Sequence, residues 1–181
     1  MNKLKTVDKS RKVFFLADIL IVFTVILLNL TVTRLVIQKL QGQPSIVLID
    51  GFLQLTYYEN NGAIFGILPN QILMFLFISL IFELFLVYII IKMPADSKFR
   101  IAHIMVSVLL GGSVCNCIDR IRYDCTIEYV YFIGINFPIF NLPDFLIFIS
   151  TVALVIILFF RIKEKDLDFL TFKQKKYREL K

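Results

Sequence analysis

"IAHIMVSVLLGGSVCNCIDRI", residues 101–121, begins as an apolar run and ends as a polar cluster. Gly111, Gly112 and Ser113 are small, whereas Asn116, Asp119 and Arg120 are strongly polar. Whether that ending is costly depends on the solvent around the rest of the chain. Hydrophobic residues make up 58% of the 181, charged residues 19%, and the mean hydropathy is +0.78. A soluble domain of this length builds its core from far fewer apolar residues. The chain therefore reads as one membrane domain over 1–181, with lipid as its main solvent.

Crossing a ~30 Å hydrocarbon core takes about 20 residues at ~1.5 Å each. Four runs meet that length: 13–33, 71–91, 101–118 and 144–160, the third being the least apolar. The predicted fold is an all-α membrane protein with four transmembrane helices. The first run exceeds a signal-peptide core and no small-residue cleavage site follows it, so an uncleaved span is expected.

Lys and Arg set the expected orientation. Five lie in the amino-terminal segment, three between spans two and three (Lys92, Lys98, Arg100), and eight in 161–181. That is sixteen of twenty on one side; Arg34, Lys39, Arg120 and Arg122 fall on the other. The positive-inside rule then predicts cytoplasmic termini. The pI of about 9.3 reflects this bias and contact with anionic lipid heads, so nucleic acid is not expected as a partner. The tail 161–181 is expected to be a solvated, helical basic stub.

This topology places 34–70 and 119–143 outside. "SIVLIDGFLQLTYY" (45–58) is rich in β-branched and aromatic residues between turn formers, which predicts a small extracytoplasmic β patch of two or three strands. "YYENNGAIFGILP" (57–69) predicts a tight turn dipping into the interface.

On a helix, Asn116, Asp119 and Arg120 (i, i+3, i+4) share one face, and Asn141 and Asp144 repeat the i, i+3 spacing at the start of span four. Polar groups at membrane depth face a bundle interior or a wet cavity, which makes them a functional site by default. Two acidic clusters at one interface suggest a carboxylate pair, one member acting as base on water and the other as acid toward a carbonyl. The same spacing equally suits Asp119 and Arg120 as interfacial anchors that pair with each other.

"ENNGAIFGI" (59–67), "GGSVCNCIDRI" (111–121) and "FPIFNLPDFLIF" (137–148) resemble, in order and spacing, the three signature regions of signal peptidase II, the four-span prolipoprotein signal peptidases of bacterial cytoplasmic membranes. The resemblance implies an aspartic endopeptidase that removes the signal peptide from lipid-modified prolipoproteins at the outer face of the cell membrane. It implies a diacylglyceryl-modified prolipoprotein as substrate, membrane lipid as surroundings, a monomer, and no metal or other cofactor. It makes Asp144 one catalytic acid, supported by Asn141. Asn116 and Arg120 line the pocket with Asp119 between them, and Asn60 and Gly62 form the turn that approaches the substrate. The second catalytic acid of the family lies nine residues after the Asp-Arg aspartate, and here that position is Glu128. Asp124 is the nearby aspartate, where the family usually has glycine.

Several positions depart from the family pattern. Pro143 precedes Asp144 in place of alanine, and Cys115 precedes Asn116 in place of glycine. Leu30 and Arg34 stand where span one usually carries Asp and Lys, with Asn29 beside them as a partial substitute. Glu128 matters most, because one extra methylene moves a carboxylate by about 1 Å, and misplacements of that size cost ~10²-fold in rate. A catalytically impaired relative that binds lipoprotein or lipid is therefore an alternative, as is, more remotely, a small transporter using Glu83 and Asp18.

The remaining polar residues read as structural. Cys115, Cys117 and Cys125 lack zinc-ligand spacing and serve as small fillers. His103 is expected at the cytoplasmic interface. Glu83, mid-span, is expected to bond Ser107, Ser150 or Thr151, with proton relay as the alternative. Gly111 and Gly112 are expected to let span three approach a neighbour closely.

Overall fold

The computed structural model describes residues 2–62 and 71–170, with side chains from Ser10 onward. The chain runs α1 (Asn2–Leu40), β1 (Ile46–Ile49), β2 (Leu53–Asn60), α2 (Ile72–Lys92), α3 (Arg100–Tyr123), β3 (Thr126–Phe132) and α4 (Leu142–Phe160). All four helices are long and apolar enough to cross a membrane. Most of the expected turn at 57–69 lies outside the described residues.

Two helices, α1 and α3, outrun the apolar runs that announce them. α1 has 39 residues, about 58 Å at ~1.5 Å each, so it projects well beyond a ~30 Å core. α3 continues past residue 118, through Asn116, Asp119 and Arg120, to Tyr123. It stops where Asp124 adopts φ +57°, a left-handed conformation that Asp tolerates better than most side chains, and the Asp124 N–H closes on the Arg120 carbonyl.

α3 is the central helix. It is buried along most of its apolar window, whereas α1, α2 and α4 turn most of theirs outward, as lipid-facing helices do. Two glycines set its spacing. A Cβ on Gly111 would sit 2.9 Å from the Val25 Cβ of α1, and one on Gly112 would sit 2.9 Å from Ile147 Cγ1 and 3.2 Å from the Pro143 carbonyl of α4. Close approach is thus made on two sides, to α1 and to α4. Cys115, fully buried, lies 3.8 Å from the Val25 carbonyl in the same seam, and the three cysteines are unpaired.

The sheet differs from the expected patch within 34–70. Its order is β1-β2-β3, antiparallel throughout, and its third strand comes from residues 126–132, between α3 and α4. Pairing Asn60 with Thr126 and Tyr58 with Glu128 ties the α1–α2 connection to the α3–α4 connection at the end of α3. Gly51, at φ +65°, makes the β1–β2 turn. Val36, Leu40, Cys125, Ile127 and Tyr129 form a small apolar cluster that seats the sheet on α1.

The described part of the tail does not form the expected solvated helix. It makes two short 3-10 turns, Glu164–Asp166 and Asp168–Leu170, and folds back on the α2–α3 connection. Phe169 meets the Phe99 ring edge-on at 5.8 Å, Asp166 pairs with Lys98, and Arg161 donates to the Ser97 carbonyl at 3.3 Å. An aromatic anchor and an ion pair outweigh helix propensity over so short a segment. Residues 171–181 lie outside the described region.

Candidate active site

The end of the bundle where α3 stops and α4 starts is built from two hydrogen-bonded halves. In the first, Asn141 caps α4: its Oδ1 accepts from the Asp144 N–H at 2.8 Å, while Asp144 Oδ2 accepts from the Asn141 N–H at 3.2 Å. This reciprocal capping box, with Pro143 in the first turn, fixes the Asp144 rotamer at a helix N-terminus, where negative charge is favoured. Asn116 of α3 donates from Nδ2 to Asp144 Oδ1 at 2.9 Å and accepts at Oδ1 from Asn141 Nδ2 at 3.1 Å. The three side chains form one closed chain of bonds between α3 and α4. Pro143, the departure from the family's alanine, is buried and turns its carbonyl toward Gly112, so it belongs to the helix contact and not to the acid's bonding.

The second half sits on the sheet. Glu128 and Asn60 are diagonal neighbours across β2 and β3, and Asn60 Nδ2 donates to Glu128 Oε1 at 2.6 Å. The other end of the same amide, Asn60 Oδ1, accepts from the Gly62 N–H at 2.9 Å, which fixes the way the amide points. Thr126, two residues before Glu128 on the same strand face, donates to Glu128 Oε1 at 3.4 Å. Burial pushes the Glu128 carboxyl up to about 7 from 4.5, and the negative charge of Asp144 adds to the rise against the bonds from Asn60 and Thr126. The Asp144 charge thus reaches Glu128 although the two belong to different elements.

Asp119 and Arg120 part company, which removes the reading of them as a mutually paired anchor. Asp119 is buried at 1% exposure with no partner at hydrogen-bond geometry for either oxygen among the described residues, although the Ile127 backbone N–H acts on it electrostatically. Arg120 lies over the Phe75 ring at 5.2 Å and donates to the Asn116 carbonyl at 3.3 Å. Its charge still reaches Glu128 and Asp144. Asp124 is exposed at the end of α3, away from the Asn60–Glu128 bond.

Thr126 and Tyr129 are members that the sequence reading passed over. Tyr129, its phenol pushed up to about 12 chiefly by burial, accepts from the Leu142 N–H at 3.0 Å and so pins the sheet to the start of α4. Their signal is visible once 126–132 is recognised as a strand, because Thr126 and Glu128 then share a face.

The other polar residues settle elsewhere. Asn29 is buried and accepts from Thr33 at 3.4 Å, and so takes no part in the site bonds as the missing acid of span one would. Glu83 does not bond Ser107, Ser150 or Thr151. It accepts from Ser113 at 3.0 Å and Cys117 at 3.3 Å, which lie four residues apart on the α3 face toward α2. Ser150 and Thr151 instead bond back to carbonyls of their own helix. His103 is buried within the bundle, where Asp18 of α1 meets its Nδ1 at 2.8 Å. Glu83 and Asp18 thus sit in separate clusters.

A multi-pass membrane bundle that gathers two carboxyl groups and their amide partners at one end belongs to the class of aspartic-type membrane proteases. Residues 21–160 match the family described as Signal peptidase (SPase) II. The lipoprotein signal peptidase of Halothermothrix orenii is 33% identical over 147 residues, which cover 81% of this chain and 98% of that protein. That of Caldanaerobacter subterraneus subsp. tengcongensis is 33% identical over 144 residues, 79% of this chain and 96% of the relative. A solved bacterial membrane enzyme structure superposes with a TM-score of 0.71 at 28% identity, covering 88% of this chain and 94% of its own. The chain belongs to the signal peptidase II family, and it is a protease of the aspartic type.

Proposed function

We propose that this protein cleaves the signal peptide from diacylglyceryl-modified prolipoproteins, with Asp144 and Glu128 as the catalytic pair. The observation that carries the proposal is the pair of amide bonds, Asn116 to Asp144 and Asn60 to Glu128, which hold two carboxyls from a helix start and a strand, with the Asp144 charge reaching Glu128. In the resting pair one proton is shared. Asp144, with both oxygens positioned by N–H donors, acts as base: it takes a proton from water as the oxygen attacks the scissile carbonyl. Glu128, raised to about 7, supplies its proton to the carbonyl oxygen. Collapse of the tetrahedral intermediate breaks the C–N bond, the departing amine takes up the proton held by Asp144, and the proton on the former carbonyl oxygen returns to Glu128.

Asn60, Gly62, Asn116, Asp119, Arg120 and Asn141 act as binding and supporting residues in this scheme. The substrate's lipid-bearing cysteine lies at the membrane surface, the depth at which α3 ends and α4 begins. Cytoplasmic termini and an outward-facing site follow from the sixteen cations on the opposite side. The protein acts as a monomer among membrane lipids and uses no cofactor. The test is incubation of purified protein with a lipidated prolipoprotein. Release of the signal peptide is expected, whereas an intact precursor after prolonged incubation with correctly folded protein removes the proposal.

A further inference from the structure

α2 carries Phe75, Ser79 and Glu83 at i, i+4 and i+8, and the face of α3 that meets them carries Ser113, Cys117 and Arg120. The two helices run in opposite directions. Glu83 accepts from Ser113 at 3.0 Å and from Cys117 at 3.3 Å, and Ser79 acts on the same thiol. Two turns nearer the carboxylate pair, the Phe75 ring lies 5.2 Å from the Arg120 guanidinium. The bonds to Glu83 cross from one helix to the other, so they fix the register that brings Phe75 against Arg120. This gives the mid-span acid a task, although peptide chemistry makes no use of it.

Three carboxyl groups feel the Arg120 charge: Asp119 on its own helix, Glu128 on β3 and Asp144 on α4. Among the described residues none of the three forms an ion pair with it. β2 faces Glu128 with the neutral Asn60, Arg122 acts on Asp119, and Glu83 is about 12 Å farther along α2 than Phe75. The acceptor sites of the pair are in use. Asn116 and the Asn141 N–H occupy the two oxygens of Asp144, and Asn60 and Thr126 share Oε1 of Glu128. Arg120 instead donates to the Asn116 carbonyl at 3.3 Å and rests on the ring. An aromatic face holds a cation without drawing it onto a carboxylate. A guanidinium in direct contact would favour the charged form of either acid, and the pair would lose its proton. We propose that Phe75 is a positioning residue for cleavage, whose ring holds Arg120 beside the Asp144–Glu128 pair and out of an ion pair with it. This rests on the reading of Asp144 and Glu128 as the catalytic pair.

Phe75→Leu removes the ring face but keeps an apolar side chain, whereas Phe75→Tyr keeps the face. For full-length wild type and both variants, kcat/KM for a lipidated prolipoprotein and the melting temperature are measured from pH 5 to 9. In Phe75→Leu the freed guanidinium swings onto the pair, and the alkaline limb of kcat/KM is expected to move down by about one pH unit. The rate then falls about tenfold at pH 8 and stays within about twofold at pH 5.5, since one unit is tenfold in the protonated fraction. Phe75→Tyr is expected to follow wild type. Phe75→Leu added to Arg120→Gln is expected to leave the limb where Arg120→Gln alone puts it. An equal loss at every pH, a Phe75→Tyr limb displaced like that of Phe75→Leu, or a displacement that survives without Arg120 overturns the proposal. The Glu128 part of the melting profile is expected to move down with the limb, and it needs no cleavage. An unmoved profile in Phe75→Leu therefore overturns the proposal even in a protein that cleaves nothing. Near wild-type cleavage by Glu128→Gln is a separate result, which removes the reading of the pair and the proposal with it.

Discussion

The two ends of the bundle solve the burial of a carboxylate in opposite ways. At one end Asp18 is met by a base and a hydroxyl, His103 and Ser107, which complement a single charge. At the other, among the described residues Asp144 and Glu128 accept from neutral donors, Asn116, the Asn141 N–H, Asn60 and Thr126, while Arg120 spends its guanidinium on Phe75 and a backbone carbonyl. Neutral amides orient a carboxyl without fixing its proton, and two carboxyls close enough for one charge to reach the other cannot both ionise cheaply. The first arrangement holds its carboxyl in one geometry. The second keeps a proton available, which is what acid–base chemistry requires.

The sharpest way to break this contrast is at Asp144. Asp144→Asn preserves the shape of the capping box but removes the base, and cleavage is expected to fall by ~10⁴-fold, the upper range for acid–base groups. Steady-state cleavage with folding checked by circular dichroism measures it. A smaller loss, of ~10²-fold with reduced thermal stability, is expected for Gly112→Ala, because the new methyl meets Ile147 at 2.9 Å and the Pro143 carbonyl at 3.2 Å and pushes α4 away from Asn116. Asn60→Ala removes one donor to Glu128 and is expected to lower kcat about tenfold without abolishing activity.

The proton on Glu128 should also be visible in stability. Its carboxyl titrates at about 7 when folded and at 4.5 by the ordinary value, so between these the folded state holds more protons than the unfolded one. The contribution of Glu128 is then fully present below about 4.5, declines as pH rises toward about 7, and is lost above that. Glu128→Gln is expected to flatten that part of the profile and to raise the melting temperature relative to wild type at pH 8; an unchanged profile counts against a raised value. Asp124→Asn gives the smallest effect. The residue is exposed and Asn also tolerates the left-handed cap, so cleavage within about twofold of wild type is expected.

Much of this was legible in the chain. Run lengths of apolar residues located four helices to within a few residues at most ends, and the small pair Gly111–Gly112 marked the close contacts of α3. What stayed hidden depended on register between elements. The i, i+3, i+4 spacing placed Asn116, Asp119 and Arg120 on one face, but not which neighbour each would meet, and Asp119 turned inward while Arg120 found Phe75. The third strand carries Glu128 and pairs with residues nearly seventy positions earlier, a pairing local alternation does not encode. Asp18 and His103, likewise, are unremarkable singly and become a pair only when α1 and α3 are set side by side.

The central claim is that Asp144 and Glu128 act as one unit. Single-turnover cleavage of a lipidated prolipoprotein by wild type, Asp144→Asn, Glu128→Gln and the double variant tests it most directly. Each single change is expected to remove activity to a similar floor, with the double variant no worse than either, because the second change has nothing left to remove. Glu128→Gln cleaving at near the wild-type rate, or losses that multiply in the double variant, would contradict it.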